Sequence, residues 1–417
     1  MSPSGAPGLP ALLHLAHDLG GGGLERVAVN LSNQFALAGY PVHLGTWADP
    51  SRDFYESLVD DAVQRVHFTR PRRRGSRTPP ARAARRALGI WDLARYVRRH
   101  RISIVHAHNA STLRLAVAAR RFTPGVSVVW HHHDGDPHRC PPRPVCRAAM
   151  HVDHVVVVSD DLVGWASKVV GIDPAKVTML PNTVAPSFLE SAEHESGVEA
   201  SRDELGAVPG SEASRIVCVA NFRVEKGHRT VVRAMAQVAA ADPRAHLLLV
   251  GSPSEPVIHE AAVEAIAAAR LEERVTVLGQ RTDVASILLT SAIGILGSSY
   301  EGCPLALLEY GAAGLAAVAT DVGQCPEILD HGRAGTLVAP GDPDALGAAI
   351  LAYLGDADLR AAHGAALRAR VEARYRQEAV VEALRELYRR FAPTPERAHR
   401  GAGAQGRSFA RESPGPC

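Results

Sequence analysis

Two carboxylates, Glu301 and Glu309, stand with seven residues between them in the stretch SSYEGCPLALLEYGAAGLAAVATDVGQCPE, residues 298–327. Carboxylates accept hydrogen bonds from hydroxyls, so such a pair suits a polyhydroxylated ligand. The residues between them point to an anion. Pro304 fits a first helical position and Leu305 to Tyr310 are good helix formers, which puts the backbone N–H groups of Gly302, Cys303 and Leu305 at a helix mouth. An anion site flanked by two hydroxyl-binding carboxylates suits a ligand carrying a diphosphate, a ribose and a hexose. The spacing alone also fits a buried strand, a turn and a helix with a surface acid pair.

Other residues carry similar chemistry. The basic side chains are nearly all Arg, and the three lysines are Lys168, Lys176 and Lys226. Lys226 lies in VANFRVEKG, residues 219–227, where a compact ammonium would offset phosphate charge. Gly20 to Gly23 precede a helical pattern, and such a run lets backbone approach a ligand closely. His106-Ala107-His108-Asn109 and His131-His132-His133-Asp134 end two strand-like runs. Cys140 and Cys146 follow near His131, His132, His133 and His138, the ligand types of a zinc site. Their spacing is not that of a zinc finger, so no metal is expected there.

The elements that must position these residues alternate in type. Residues 9–15 read as a strand, 24–38 as a helix with apolar positions at Leu24, Val27, Leu31 and Phe35 ending at Gly39, and 42–46 as the next strand. A helix over 90–99 leads into a strand at 104–106, and strands follow at 126–130 and 155–158. The pattern stops near Pro181-Asn182, and residues 186–212 are polar, as in a connection. A second series has strands at 216–220, 245–250, 274–278, 293–296 and 316–319. Such alternation implies parallel sheets covered by helices. Residues 371–391 form an amphipathic stretch, and 392–417 have the composition of a disordered tail.

The 298–327 stretch resembles the retaining glycosyltransferases of family 4, with their EGxPLxLLE…G…VATxVG…E pattern, and the resemblance extends over about residues 9–391. It implies that Glu301 contacts the donor sugar and that Glu309 holds the ribose hydroxyls. Gly22-Gly23-Leu24-Glu25-Arg26 resembles the family's GGxER loop. Lys226 matches the lysine that neutralises the diphosphate; Asn221 stands where the family has its paired Arg, and Arg223, two residues on, is the candidate substitute. Gly279 to Val284, with Arg281, resembles the loop at the nucleotide base, and Asp283 suits an N-cap there. Pro181-Asn182-Thr183-Val184 resembles the hinge segment, and His133-Asp134 the pair beside the donor and acceptor sugars. Ala316 replaces a usual Pro, and Gln324 a usual Gly.

The implied fold is α/β of the GT-B kind, two Rossmann-like domains with parallel sheets facing a central cleft. Residues 1–190 would form the acceptor domain and 213–370 the donor domain, with helix 371–391 packing back onto the first. The expected reaction moves a hexosyl unit from a nucleoside-diphosphate sugar to a saccharide or lipid-linked saccharide. Glu301, Lys226 and His133 are the catalytic candidates; Gly22, Gly23, Arg223, Arg281, Gly302, Cys303, Pro304, Leu305 and Glu309 are the donor-binding ones. The resemblance implies no cofactor or metal, and no DxD-type pair stands where the diphosphate should lie. Departures at Asn221, Ala316 and Gln324 keep open a non-catalytic, nucleotide-sugar-binding partner subunit. A GT-B phosphorylase is the second enzyme reading.

The whole chain fits these expectations. Its 417 residues exceed what one core usually supports, so two domains are the default. No secretory signal or membrane-spanning apolar run is evident, and the six cysteines are scattered, which together suggest a cytoplasmic protein. Residues 70–101 hold twelve Arg and a single acid, Asp92, a local charge of +11 in a chain of net +2. Without aromatic stacking motifs this segment suits an anionic membrane surface bearing the acceptor rather than nucleic acid, or else a solvated face.

Overall fold

The computed structural model describes residues 9–47, 53–68, 79–185, 188, 190 and 211–391. The tail at 392–417, most of the 186–212 connection and part of the Arg-rich segment lie outside the described residues. The chain forms two compact units: Met1–His133, Pro137–Leu180 and Val380–Cys417 in the first, Asp134–Asp136 and Pro181–Ala379 in the second.

The first unit is built on strands β1 (Ala11–Leu15), β2 (Val42–Thr46), β3 (Gln64–His67), β4 (Ile102–Ala107), β5 (Ser127–His132), β6 (His154–Val157) and β7 (Val177–Met179). They form one parallel sheet in the order β3-β2-β1-β4-β5-β6-β7. Its central strands are unbroken apolar runs such as Val128-Val129-Trp130 and Val155-Val156-Val157, fully buried as expected where helices cover both faces. Helices α1 (Gly23–Leu37), α2 (Pro79–Arg99), α3 (Ala110–Arg120), α4 (Arg143–Ala149) and α5 (Asp160–Lys168) connect them. Helix α1 ends as the periodicity predicts, with Gly39 at a left-handed φ of 82°.

The second unit repeats the plan. Strands β8 (Arg215–Val219), β9 (His246–Val250), β10 (Val275–Gly279), β11 (Ile293–Leu296), β12 (Ala316–Thr320) and β13 (Thr336–Val338) pair in the order β10-β9-β8-β11-β12-β13, all parallel. Helices α6 (His228–Ala241), α7 (Pro256–Ala268), α8 (Val284–Leu289), α9 (Leu305–Ala312), α10 (Cys325–Ile328), α11 (Pro343–Gly355) and α12 (Ala357–Arg374) pack around it, and α13 (Gln377–Arg389) follows. Ile216, Cys218, Val231, Met235, Leu247, Ile295 and Val318 centre its core. Both sheets reverse direction beside their first strand, between β1 and β4 and between β8 and β11. In doubly wound sheets ligands bind at the carboxyl ends of the strands at that switch.

Three expectations are corrected. The helix expected over 90–99 starts at Pro79, because Pro suits a helix start and the Arg and Ala that follow are good helix formers. The stretch 371–391 is not one helix: α12 runs to Arg374, Tyr375 leaves helical geometry, and the backbone of Arg376 pairs with Val184 before α13 begins. From Val380 onward the chain groups with the first unit, where Tyr388 packs its ring on Phe35. Pro304 is the N-cap of α9 rather than its first helical residue, held extended at ψ 117°.

Candidate functional site

Lys226 and Glu301 lie in the loops that follow β8 and β11, the two strands flanking the switch in the second sheet. The loops meet closely. Gly227 takes a left-handed φ of 64°, and a Cβ there would stand 1.9 Å from the carbonyl oxygen of Gly297. Ser299 donates its backbone N–H to the Glu225 carbonyl at 2.7 Å. With the loops joined in this way, Lys226 Nζ reaches Glu301 Oε1 at 2.7 Å. Ser298, fully buried, donates its hydroxyl to the same oxygen at 2.7 Å.

The Glu301 loop is held from several sides. Gly323 has φ 52°, and a Cβ on it would lie 1.9 Å from the Glu301 carbonyl oxygen. The Gln324 N–H donates to the Gly302 carbonyl at 3.0 Å, and Asn182 Nδ2 donates to the Cys303 carbonyl at 2.7 Å. Thr320 Oγ1 donates to the Ser298 carbonyl at 2.7 Å. A carboxylate fixed by so many backbone contacts is preorganised, with little left to reorder when a ligand arrives. Glu301 is 6% exposed, and Gly302, Cys303 and Pro304 are buried with it at the start of α9. Burial pushes the Cys303 thiol up to about 12, so it is a neutral packing group there.

Glu309 sits half-buried further along α9, as the helical reading places it, and Leu305 opens that helix. The helix is seated by Tyr310, whose ring fills the space a side chain at Gly294 would need and whose hydroxyl donates to the Ile295 carbonyl at 3.2 Å. Burial chiefly, with nearby Cys218, Glu309 and Glu301, holds that hydroxyl well above its usual range.

Two candidate cations have partners of their own. Arg223 is half-exposed and pairs with Glu225 at 2.8 Å and more distantly with Glu255. Arg281 forms a two-pronged pair with Asp283 at 2.7 and 2.6 Å, which holds the Asp283 carboxyl below its usual range. Asp283 does stand at the N-cap of α8, yet makes no side-chain capping bond there. Asn221, at the family's Arg position, accepts the Ser252 backbone N–H at 2.8 Å and so serves the loop.

Gly22, Gly23 and His133 stand in the first unit. Gly22 caps α1 with φ −103°, a conformation open to any residue. His133 lies just past β5, in ring contact with His131 and His108. Ser298 and the pinning role of Gly323 escape a motif-based reading. A serine directly after a buried strand and a glycine between two turns are weak signals by themselves. Cys146 donates its thiol to the Pro141 carbonyl, and among the described residues the side chains able to converge on one ion are histidines alone.

Residues 21–188 match the model described as Glycosyltransferase Family 4, and residues 213–356 the model described as Glycosyl transferases group 1. Among curated relatives, the N-acetyl-alpha-D-glucosaminyl L-malate synthase of Bacillus anthracis is 32% identical over 43% of this chain and 46% of that protein. The GDP-mannose-dependent monoacylated alpha-(1-6)-phosphatidylinositol monomannoside mannosyltransferase of Corynebacterium glutamicum is 31% identical over 45% of this chain and 50% of its own. The chain thus spans about half the length of these relatives. Among solved structures, Anabaena Alr3699/HepE in complex with UDP-glucose superposes with a TM-score of 0.77 at 18% identity, covering 91% of this chain and 99% of that one. With one family model on each half and a shared fold along nearly the whole chain, this protein belongs to the family 4 glycosyltransferases and has their two-domain GT-B fold.

Proposed function

We propose that the chain is a retaining glycosyltransferase that moves a hexosyl unit from a nucleoside-diphosphate sugar to a saccharide or lipid-linked saccharide. The observation that carries the reading is the 2.7 Å pair of Lys226 Nζ and Glu301 Oε1, on the two loops that leave the switch of the second sheet. As the bond to the anomeric carbon breaks, negative charge develops on the leaving diphosphate, and the Lys226 ammonium offsets it. Glu301 takes two donors on Oε1 and keeps acceptor capacity on Oε2 for hydroxyls of the donor sugar. Glu309 takes the ribose hydroxyls, and the backbone of Gly302, Cys303, Pro304 and Leu305 lines the phosphate side. Arg223 and Arg281 join in by exchanging their present carboxylate partners for the donor. Gly22, Gly23 and His133 are the candidate sugar- and donor-binding residues of the first unit. No cofactor or metal takes part at the diphosphate; the leaving phosphate accepts the acceptor's proton. The Corynebacterium relative is named as GDP-mannose-dependent and the Anabaena structure holds UDP-glucose, which supports a nucleotide-sugar donor.

A lipid-linked acceptor is supported by α2. Leu88 and Trp91 are 44% and 49% exposed on this Arg-bearing helix, and the Arg98 guanidinium lies 5.7 Å from the centre of the Trp91 ring. Cations beside an interfacial aromatic suit an anionic membrane surface, so we place the protein at the inner face of a membrane. Among the described residues no helix is long and apolar enough to cross one.

The test measures binding and donor hydrolysis across UDP-glucose, UDP-galactose, UDP-N-acetylglucosamine, GDP-mannose and the free nucleotides, without metal, with Glu309→Gln as control. One preferred donor, weakened in the control, is expected. Donor binding without hydrolysis would favour the non-catalytic, nucleotide-sugar-binding subunit, the reading that the structural use of Asn221 supports. Binding of none would leave an unlisted donor or a site decayed into a partner-binding module.

A further inference from the structure

Five histidines crowd the carboxyl ends of three adjacent strands in the first unit. His14 on β1 pairs in register with His106 on β4. His108 follows two residues later, and His131 and His133 repeat that spacing at the end of β5. Residues two apart share a face of a strand. The rings accordingly stack, with centroids 4.7 Å apart for His106–His108 and 4.0 Å for His131–His133. His14, His106, His108 and His131 are all 2% exposed or less, while His133 is half-buried.

A buried imidazole has two ring nitrogens to satisfy, and one left unmet costs about 1–3 kcal/mol. Three contacts meet part of the need: His14 Nδ1 with His108 Nε2 at 3.0 Å, His108 Nδ1 with His133 Nε2 at 3.3 Å, and His106 Nδ1 with the Tyr388 hydroxyl. Nε2 of His14, Nε2 of His106 and both nitrogens of His131 are buried without a hydrogen-bond partner among the described residues. Each neutral ring carries a lone pair on one of its two nitrogens, and a cation shared by several rings would meet such lone pairs. We propose that the first unit binds one divalent transition-metal ion, of the zinc, nickel or copper class, on His108, His131 and His133.

The geometry suits such an ion. One ligand atom from each of these three residues lies within 4.8 Å of the others. Tetrahedral zinc with Zn–N of about 2.0–2.1 Å puts ligand nitrogens about 3.3 Å apart. The His108–His133 pair already has that separation. His108 then ligates through Nδ1, and its Nε2–H donates to His14 Nδ1, the outer contact that fixes a ligand's tautomer. His131 must close from within 4.8 Å to that separation, a movement of up to about 1.5 Å, and a water would complete a tetrahedral set of three protein ligands. An all-imidazole set favours borderline transition metals over magnesium or calcium, which prefer oxygen. The site shares His133 with the transferase reading, but His108 and His131 have no part in that reading, and the test reads ion binding rather than transfer.

The experiment strips the full-length protein with chelator and titrates it with Zn²⁺ and with Co²⁺, reading heat, visible absorption and ions bound per chain. One ion per chain is expected, with a rise in the thermal midpoint of the tryptophan signal. His131→Gln and His133→Gln should each weaken binding at least about 100-fold, as losing a ligand does more than losing an outer contact. His132→Gln, whose ring stacks on Trp165 instead, should bind as the unchanged protein does. His133→Gln alters a half-exposed position and remains informative if His131→Gln does not fold. No binding at 100-micromolar-order zinc would overturn the assignment. So would equal affinity in the ligand variants, which would move the ion to Cys140, Cys146 and His138, or equal competition by Mg²⁺.

Discussion

Lowering the pH from 7.5 to 5.0 should destabilise the first unit, and His14 sets the minimum effect. Its ring is fully buried, and burial lowers its pKa from 6.5 to about 3. The unfolded chain therefore binds a proton below pH 6.5 that the folded unit refuses. The penalty is absent above 6.5, grows as pH falls, and is complete near 3. At pH 5 the group is 1.5 pH units below its unfolded value, and at 1.36 kcal/mol per unit this gives about 2 kcal/mol. His106, His108 and His131 are lowered in the same direction, chiefly by burial. Asp53, whose carboxyl burial raises, acts the opposite way at lower pH. The assay is favoured by composition: Trp47, Trp91, Trp130 and Trp165 are all the tryptophans of the chain, and all belong to the first unit. Their fluorescence in urea, with chelator present, follows that unit alone. With an m-value of about 2 kcal/mol per molar, the midpoint should fall by about 1 M or more between pH 7.5 and 5.0. An unchanged midpoint, or a rise, would refute the buried-neutral assignment.

Three further outcomes bear on the second unit. Lys226→Ala should cut turnover by about 10²-fold or more with a smaller effect on donor affinity, since its charge acts mainly as the diphosphate leaves; initial-rate kinetics separate the two. Glu309→Gln should weaken donor binding by about 10- to 100-fold in a calorimetric titration, the equivalent of about 1.5–3 kcal/mol for a bond to a charged acceptor. Gly323→Ala should destabilise the unit by about 2 kcal/mol or more, because it adds a side chain in left-handed backbone and against the Glu301 carbonyl; a thermal midpoint within a degree of the parent would contradict that.

The second sheet was readable because its strands are continuous apolar runs and its site residues follow strand ends at the spacing of a known pattern. Type and context single out Glu301 and Lys226 as candidates, and folding brings the two into contact. Three edge strands escaped the reading. In β3, Gln64, Arg65 and His67 are exposed, so no apolar run marks it, and β7 and β13 are three residues long. Edge strands pair on one side only and need little hydrophobicity. Arg223 shows another limit: its sequence position gives no hint that Glu225, two residues on, takes its guanidinium. The histidine cluster was half visible, since the two strand-end pairs stand out, whereas His14 joins them only through the register of β1 with β4.

The return of the chain at Val380 sets an order of events during synthesis. The first unit includes α13 from that residue on, and Tyr388 bonds to His106 across 282 positions of sequence. When Leu180 leaves the ribosome, that unit still lacks its last helix and the ring that covers Phe35. About 200 more residues must be made first, which at roughly 5–20 residues per second takes about 10–40 s. The second unit has its main segment by Ala379 and can close earlier. The half of the protein translated first is therefore the half completed last, and its apolar strands spend that interval without their last covering helix.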